Sequence, residues 1–297
     1  MLNEIVELSK TEAIGNNRFK YVFSLVNSPF MLKFKHGCEV WDKLIKKHRQ
    51  IINNLIPQTI KRILELPKST PSMAIKHDFG ILDLSNEIEL EKILLTQKVL
   101  EMDGERIAKR LLDAMIDKEV PGYCSHVLGI LKKYNIDLHE LRTIADPRAV
   151  VRKIIVDFEK SELLKKMMMS TKTDAMAVNY AFDGKMKSYL RDLPFPEGRM
   201  VFVFRSRMFP TRVNFPQRWS KDRKCIFCRK LDTDEHLFLC WGYRDFVEGE
   251  SVRYEMFYKL DADADELGRG ARVLQKIYDR LIMVQEDKDM VMRDDGS

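Results

Sequence analysis

The feature that most constrains this chain is a group of three cysteines and one histidine within residues 225–240. Two residues separate Cys225 from Cys228, seven separate Cys228 from His236, and three separate His236 from Cys240. Two cysteines three positions apart bring their sulfurs to one side of a turn, and residues at i and i+4 share one face of a helix. The spacing therefore predicts that all four side chains converge on one ion.

Three thiolates and one imidazole form a soft ligand set that suits tetrahedral Zn²⁺. Because four protein ligands leave no position for water, we expect a structural zinc ion rather than a catalytic one. In a segment of roughly 35 residues with almost no core, the metal would supply folding free energy on the order of 10 kcal/mol. The alternative is a set of buried thiols beside a surface histidine. Asp232, Asp234 and Glu235 either orient the ring of His236 or form a solvated turn.

The two remaining cysteines, Cys38 and Cys124, stand far from this group, which is poor material for a disulfide framework. No run approaches the 18 apolar residues of a membrane span. Residues 1–20 contain Glu4, Glu7 and Glu12 and no continuous apolar stretch, so we expect no secretory signal. The sequence predicts an intracellular protein, nuclear or cytoplasmic, that is not secreted and has no membrane partner.

Positive charge is concentrated in two short segments. The formal net charge is +6, yet residues 199–230 hold ten basic side chains and one acid. Residues 33–62 hold eight Lys and Arg against two acids, whereas residues 231–297 carry a net charge of −8. We therefore expect a polyanionic partner to contact two segments and not the whole surface.

Basic residues alternate with aromatic ones just before the cysteines, which is typical of nucleic-acid binding because cations neutralise phosphates and aromatic rings stack on bases. The candidate contacts in this segment are Arg205, Arg207, Arg212, Arg218, Trp219, Lys221, Arg223 and Lys224. Those in the earlier segment are Lys43, Lys46, Lys47 and Arg49. The alternative is a charged face that is merely solvated.

Apolar residues recur with a period close to 3.6 over most of the chain, which predicts a mainly α-helical fold. The longest pattern covers 42–66, where Pro57 is expected to kink or split the helix. Further helices are predicted over 87–101, 105–118, 123–134, 147–169, 185–193 and 271–286. The pattern of residues 200–209 fits either a strand, from its Val and Phe content, or a helix.

Four blocks of sequence occur in an informative order. The first is GCEVW at 37–41, which precedes the long basic helix, and the second is LPKSTP at 66–71 with HDFGIL at 77–82. The third is FRSRMFP at 204–210, which leads to the paired cysteines, and the last is DEHLFLC at 234–240. In this order the blocks resemble the C-terminal part of reverse transcriptases from LINE-class (non-LTR) retrotransposons, over roughly residues 35–285.

The resemblance implies three parts in order along the chain. A helical bundle of thumb-like and linker regions comes first, a small zinc-knuckle module follows, and C-terminal helices end the region. The corresponding divisions are 1–40, a remnant of the palm/thumb junction; 41–145, the thumb-like region; 146–198, the helical linker; 199–245, the basic segment with the CCHC knuckle; and 246–297, an acidic helical tail. It also implies that the chain binds RNA, DNA or both. The family has one more residue between the histidine and the last cysteine than His236 and Cys240 have.

The polymerase motif of that family, an aromatic-x-Asp-Asp that holds two Mg²⁺ ions, has no counterpart before Trp41, and Asp294-Asp295 lies in the tail. We therefore expect no catalytic residues and no polymerase activity from this chain alone, which would act as a nucleic-acid-binding fragment. One alternative is the C-terminal part of an intact RNA-directed DNA polymerase whose palm lies outside this sequence. Another is a repurposed scaffold that binds protein through the acidic residues 231–297.

Overall fold

The computed structural model describes residues 7, 17–27, 36–41, 44–118, 120–178, 182, 184–215, 222–259 and 263–294. Within these residues the chain is mainly helical and has no strand, apart from one isolated antiparallel bridge between Lys224 and Leu231. A compact Cys/His cluster lies toward the C-terminal end. The predicted fold class, a helical bundle followed by a Cys/His module and C-terminal helices, is confirmed.

The α-helices are numbered in chain order within the described residues. The first seven are α1 (Arg18–Asn27), α2 (Lys46–Ile63), α3 (Ser72–Phe79), α4 (Leu84–Leu100), α5 (Ile107–Asp117), α6 (Tyr123–Lys133) and α7 (Leu138–Leu141). The next seven are α8 (Pro147–Met168), α9 (Asp174–Val178), α10 (Ser188–Asp192), α11 (Phe195–Arg205), α12 (His236–Leu239), α13 (Arg244–Val247) and α14 (Ala264–Asp294). Short 3₁₀ turns cover Cys38–Val40, Trp241–Tyr243, Glu248–Glu250 and Tyr254–Tyr258.

Helix α2 continues through Pro57, so the alternative of a split helix is wrong. The missing N–H of a proline and its ring cost a helix interior about 3 kcal/mol. Pro57 lies on the buried face, between Ile56 and Ile60, and packing of this face offsets the cost. The hydroxyl of Thr59 donates to the carbonyl of Leu55 at 2.9 Å, beside the proline.

Two hydrophobic clusters form the core, and α8 belongs to both. Residues from Leu90 to Ile155 form one cluster, which includes buried Val151 from the first half of α8. The other cluster joins residues from both ends of the chain, from Phe19 to Leu281, and includes buried Met167 from the second half of α8. The predicted divisions at 40, 145, 198 and 245 stay predictions.

Residues 195–205 form helix α11, which settles the ambiguity of that segment in favour of a helix. Pro196 stands in its first turn, where the missing N–H has no helical partner to lose. Every side chain from Met200 to Arg205 is buried. A helix that is buried on all sides carries no amphipathic period, and its Val and Phe content therefore mimics a strand.

A buried ion pair connects α3 to α11. The guanidinium Nε of Arg205 lies 3.1 Å from Oδ2 of Asp78, and Nη1 of the same guanidinium donates to the carbonyl of Phe257. Asp78 also accepts a hydrogen bond from Tyr189, and its Oδ1 lies 2.6 Å from Nδ1 of His77. Burial alone raises the pKa of Asp78, but Arg205, His77 and Tyr189 outweigh it and hold this pKa below its usual range.

None of the helices in the described part of the chain combines the length and the apolar character that crossing a bilayer requires.

Candidate metal centre

A short hairpin at residues 223–232 presents the first two cysteines. The N–H of Cys225 donates to the carbonyl of Lys230 at 2.7 Å, and the N–H of Asp232 donates to the carbonyl of Arg223 at 2.9 Å. The N–H of Arg229 donates to the carbonyl of Cys225 at 3.1 Å, which closes the turn between the two arms of the hairpin. Cys225 and Cys228 thus stand on one tight turn, as their spacing predicts.

The other two candidate ligands lie on and after helix α12. The hydroxyl of Thr233 accepts a hydrogen bond from the N–H of His236 at 3.1 Å and so satisfies an N–H at the start of the helix. Cys240 follows directly after the last residue of α12. His236 and Cys240 are both buried and turn toward the hairpin.

The acidic residues before His236 connect the hairpin to the body of the protein. Asp232 is buried, and its Oδ2 accepts from the backbone N–H of Arg212 at 2.9 Å. Asp234 is also buried, and its Oδ1 accepts from the side-chain amide of Asn214 at 2.8 Å. The idea of a solvated turn therefore holds only for Glu235, which is exposed.

The four ligand atoms of Cys225, Cys228, His236 and Cys240 all lie within 4.8 Å of one another. The Sγ of Cys240 is 3.7 Å from that of Cys225 and 3.8 Å from that of Cys228. With Zn–S bonds of about 2.3 Å, the edge between two sulfurs of a tetrahedron is about 3.8 Å. The Nε2 of His236 lies 3.1 Å from the Sγ of Cys228, shorter than the tetrahedral S–N edge of about 3.6 Å. The two sulfur–sulfur edges thus match a tetrahedral zinc site.

Electrostatics of the cluster suits a cation. Burial, together with the neighbouring Cys225 and Cys228, raises the pKa of Cys240 to about 12. Burial lowers the pKa of His236, more than the carboxylate of Asp232 raises it, which keeps the imidazole neutral. Thiolates held this close repel one another until a cation neutralises them, and a metal ion then displaces the thiol protons.

The cluster is part of the main core and not an isolated module. Cys225, Leu237 and Tyr243 are fully buried and belong to the same hydrophobic cluster as Phe19 and Ile60. The expectation of almost no core around the metal is therefore wrong, because α14 and the helices before residue 210 pack against this segment. A metal bound here would fix the hairpin and α12 on a protein whose main core is already formed by apolar packing.

The candidate nucleic-acid contacts fall into four groups. Exposed side chains are Lys46, Lys47, Arg223 and Lys224. Partly buried side chains are Arg49, Arg207 and Arg212, and the fully buried one is Arg205. Lys43, Arg218, Trp219 and Lys221 lie outside the described residues.

Three of these arginines form ion pairs within the protein. Arg205 is buried against Asp78, a carboxylate 127 positions away in the sequence that no local pattern connects to it. Its assignment as a nucleic-acid contact stays a prediction, although its side chain lies in the core. Arg49 pairs with Glu89 at 2.7 Å. Arg207 pairs with the exposed Asp174 at 3.1 Å and keeps part of its surface in solvent.

Sequence reasoning missed three exposed side chains beside the cluster. Arg229 and Lys230 are exposed on the hairpin, immediately after Cys228. Trp241 follows Cys240 and is 61% exposed. Arg229 and Lys230 belong to the basic segment 199–230 but are not among its candidate contacts, and the signal for Trp241 is its position next to Cys240.

Comparison of the chain with protein-family models, with curated proteins and with solved structures finds no match. The fold and the site by themselves define a mainly helical protein with a buried Cys₃His cluster of metal-binding geometry.

Proposed function

We propose that Cys225, Cys228, His236 and Cys240 bind one structural Zn²⁺. The observation that carries this proposal is the pair of sulfur–sulfur distances, 3.7 and 3.8 Å, which equal the edges of a tetrahedral zinc site. Four protein ligands complete the coordination, so the site would stabilise the hairpin and α12 and would have no open position for a reaction. When bound, the ion supplies charge neutralisation for the thiolates.

We further propose that the segment held by this metal binds RNA or DNA, as the C-terminal, non-catalytic part of a LINE-class reverse transcriptase does. Arg223, Lys224, Arg229 and Lys230 are exposed on the hairpin that carries two of the ligands. Helix α2 has no acidic residue. Phosphate neutralisation by such clusters supplies most of the affinity of non-specific nucleic-acid binding.

Zinc content of the full chain tests the first part. Wild-type protein should hold about one zinc ion per chain after exhaustive dialysis, and Cys228→Ser should hold far less, because a structural site needs all four ligands. Cys124→Ala is the matched control, since Cys124 is a buried thiol in the other hydrophobic cluster. Metal-free wild-type protein, or equal loss in both variants, would refute the zinc site.

Salt dependence of binding tests the second part. If about six phosphates are contacted, affinity for a single-stranded oligonucleotide should fall by ~10³ between 50 and 200 mM salt. The matched pair is Arg223→Ala, exposed on the hairpin, against Arg253→Ala, exposed outside it. Only the first should reduce the salt slope, by about one. A flat salt profile of the wild-type protein would discard the proposal.

A further inference from the structure

Two aromatic side chains form a platform on the outer side of the candidate metal centre. Phe227 stands between the two hairpin cysteines, and Trp241 directly follows Cys240. Their ring centroids are 6.0 Å apart, with an angle of 69° between the ring planes. Trp241 is 61% exposed, the largest ring that this part of the protein leaves in solvent among the described residues. We call this pair the aromatic platform.

The backbone fixes the position of the platform. A Cβ atom on Gly242 would lie 2.4 Å from Cγ of Phe227, so the chain passes directly against that ring. Tyr243 is fully buried and packs edge-on against Phe227 with centroids 5.1 Å apart. Trp241 is thus held between a ligand residue and a buried anchor, and its exposed face is presented on a rigid support.

Positive charge borders the platform. The guanidinium of Arg280 lies 5.5 Å from the ring centroid of Phe227 and 5.4 Å from that of Phe246. Arg244, on the same helix as Phe246, pairs with Glu248 at 3.1 Å. Arg229 and Lys230, the two residues that follow Cys228, extend the positive charge on the hairpin.

We propose that Trp241 stacks on an unpaired base of a single-stranded nucleic acid, while Arg280, Arg229 and Lys230 meet the phosphates beside it. An exposed indole on a rigid support offers a flat face to any base, and a base inside a duplex is not accessible to it. A hydrophobic protein partner fits the flanking cations less well than a polyanion does. This inference deepens the proposed function and rests on it, because it names the ligand as unpaired nucleobases.

Fluorescence of Trp241 in the full chain is the direct test. The chain has three tryptophans, so Trp41→Phe combined with Trp219→Phe leaves Trp241 as the only indole. Single-stranded oligothymidylate should quench this emission, because the indole stacks on the base. An abasic oligonucleotide of equal length and charge should bind through its phosphates and leave the emission unquenched.

Affinity measurements on Trp241→Ala complete the test. The variant should lose affinity for oligothymidylate by about 5- to 150-fold, the usual effect of removing one stacking ring, and should bind the abasic strand as well as wild type does. Trp241→Phe should retain part of the affinity. Leu239→Ala is the matched control, since Leu239 is 75% exposed on the other side of Cys240 and has no π face.

The outcomes separate this inference from the proposed function. Equal affinity of wild type and Trp241→Ala for oligothymidylate, with no quenching in the single-tryptophan chain, would overturn base stacking. If abasic strands still bind in that case, the proposed nucleic-acid binding stands. Failure of wild type to bind either strand would overturn both. Normal zinc content of Trp241→Ala shows that a lost affinity comes from the ring and not from a damaged metal centre.

Discussion

Truncation of the buried ion pair should destabilise the protein strongly. Removing one partner of a buried pair leaves an uncompensated charge and costs about 3–5 kcal/mol. In Asp78→Asn the guanidinium of Arg205 loses the carboxylate charge at 3.1 Å, and in Arg205→Met the carboxylate of Asp78 stays buried without its cation. The double variant removes both charges, so its loss should be smaller than the sum of the single losses by about 2–3 kcal/mol.

Urea unfolding followed by circular dichroism is the appropriate assay, because urea leaves ion pairs unscreened. The midpoint should fall in both single variants at unchanged m. The pH dependence of stability follows from the low pKa of Asp78. A depressed carboxyl pKa stabilises the folded state at every pH above 3.8, the pKa of the unfolded state. This contribution disappears as the pH falls through the pKa of the folded state. The deficit of Asp78→Asn should therefore persist from neutral pH down to about pH 4.

The same variants decide whether Arg205 is structural or contacts nucleic acid. Arg223→Ala is the control, because Arg223 is exposed and such a change alters stability by less than about 0.5 kcal/mol. We expect Arg205→Met to lower stability and Arg223→Ala to lower oligonucleotide affinity. An Arg205→Met protein with wild-type stability and reduced affinity would refute the reasoning.

Three further predictions concern pH and backbone geometry. Burial, together with the Asp83 carboxylate, raises the pKa of Glu159 to about 7, so the folded state keeps a proton that the unfolded state releases. The free energy of unfolding should therefore fall by about 3 kcal/mol between pH 4.5 and 7. Urea titrations of Glu159→Gln should not show this fall. The φ of Arg229 is 64°, a region that favours glycine, so Arg229→Gly should stabilise by up to about 1 kcal/mol in urea without changing zinc content. Because the pKa of Cys240 is about 12, zinc binding must displace the proton of its thiol. Calorimetry in two buffers of different ionisation enthalpy should show this proton release. The affinity for zinc should also rise with pH.

The sequence predicts local features of this protein better than distant ones. The convergence of Cys225 and His236 depends on spacings of a few residues, which a turn and a helix fix on their own. Helix α8 was predicted within one residue, because Asp146 and Pro147 mark its start. The helical pattern of α14 was recognised only from residue 271, although the helix begins at Ala264.

The rest depends on tertiary contacts that no local pattern contains. Arg205 stands in a segment whose composition is typical of a basic surface, and only the folded chain brings Asp78 into contact with it. The sequence predicts almost no core around the metal centre, yet Leu237 and Tyr243 join a core that includes Phe19 of α1. The exposure of Trp241 also depends on tertiary packing. The chain passes close to Phe227 at Gly242 and buries Tyr243, and this arrangement leaves the indole of Trp241 at the surface.

The two clusters also set an order for folding during synthesis. The buried residues of one cluster all lie between Leu90 and Ile155, so this cluster can form before α14 is made. Phe19 and Ile60, made earlier, belong to a core that also needs Val273 and Leu281. This core is therefore complete only after α14 has been made, and until then the apolar surface that Val273 and Leu281 cover stays exposed, where a chaperone can protect it.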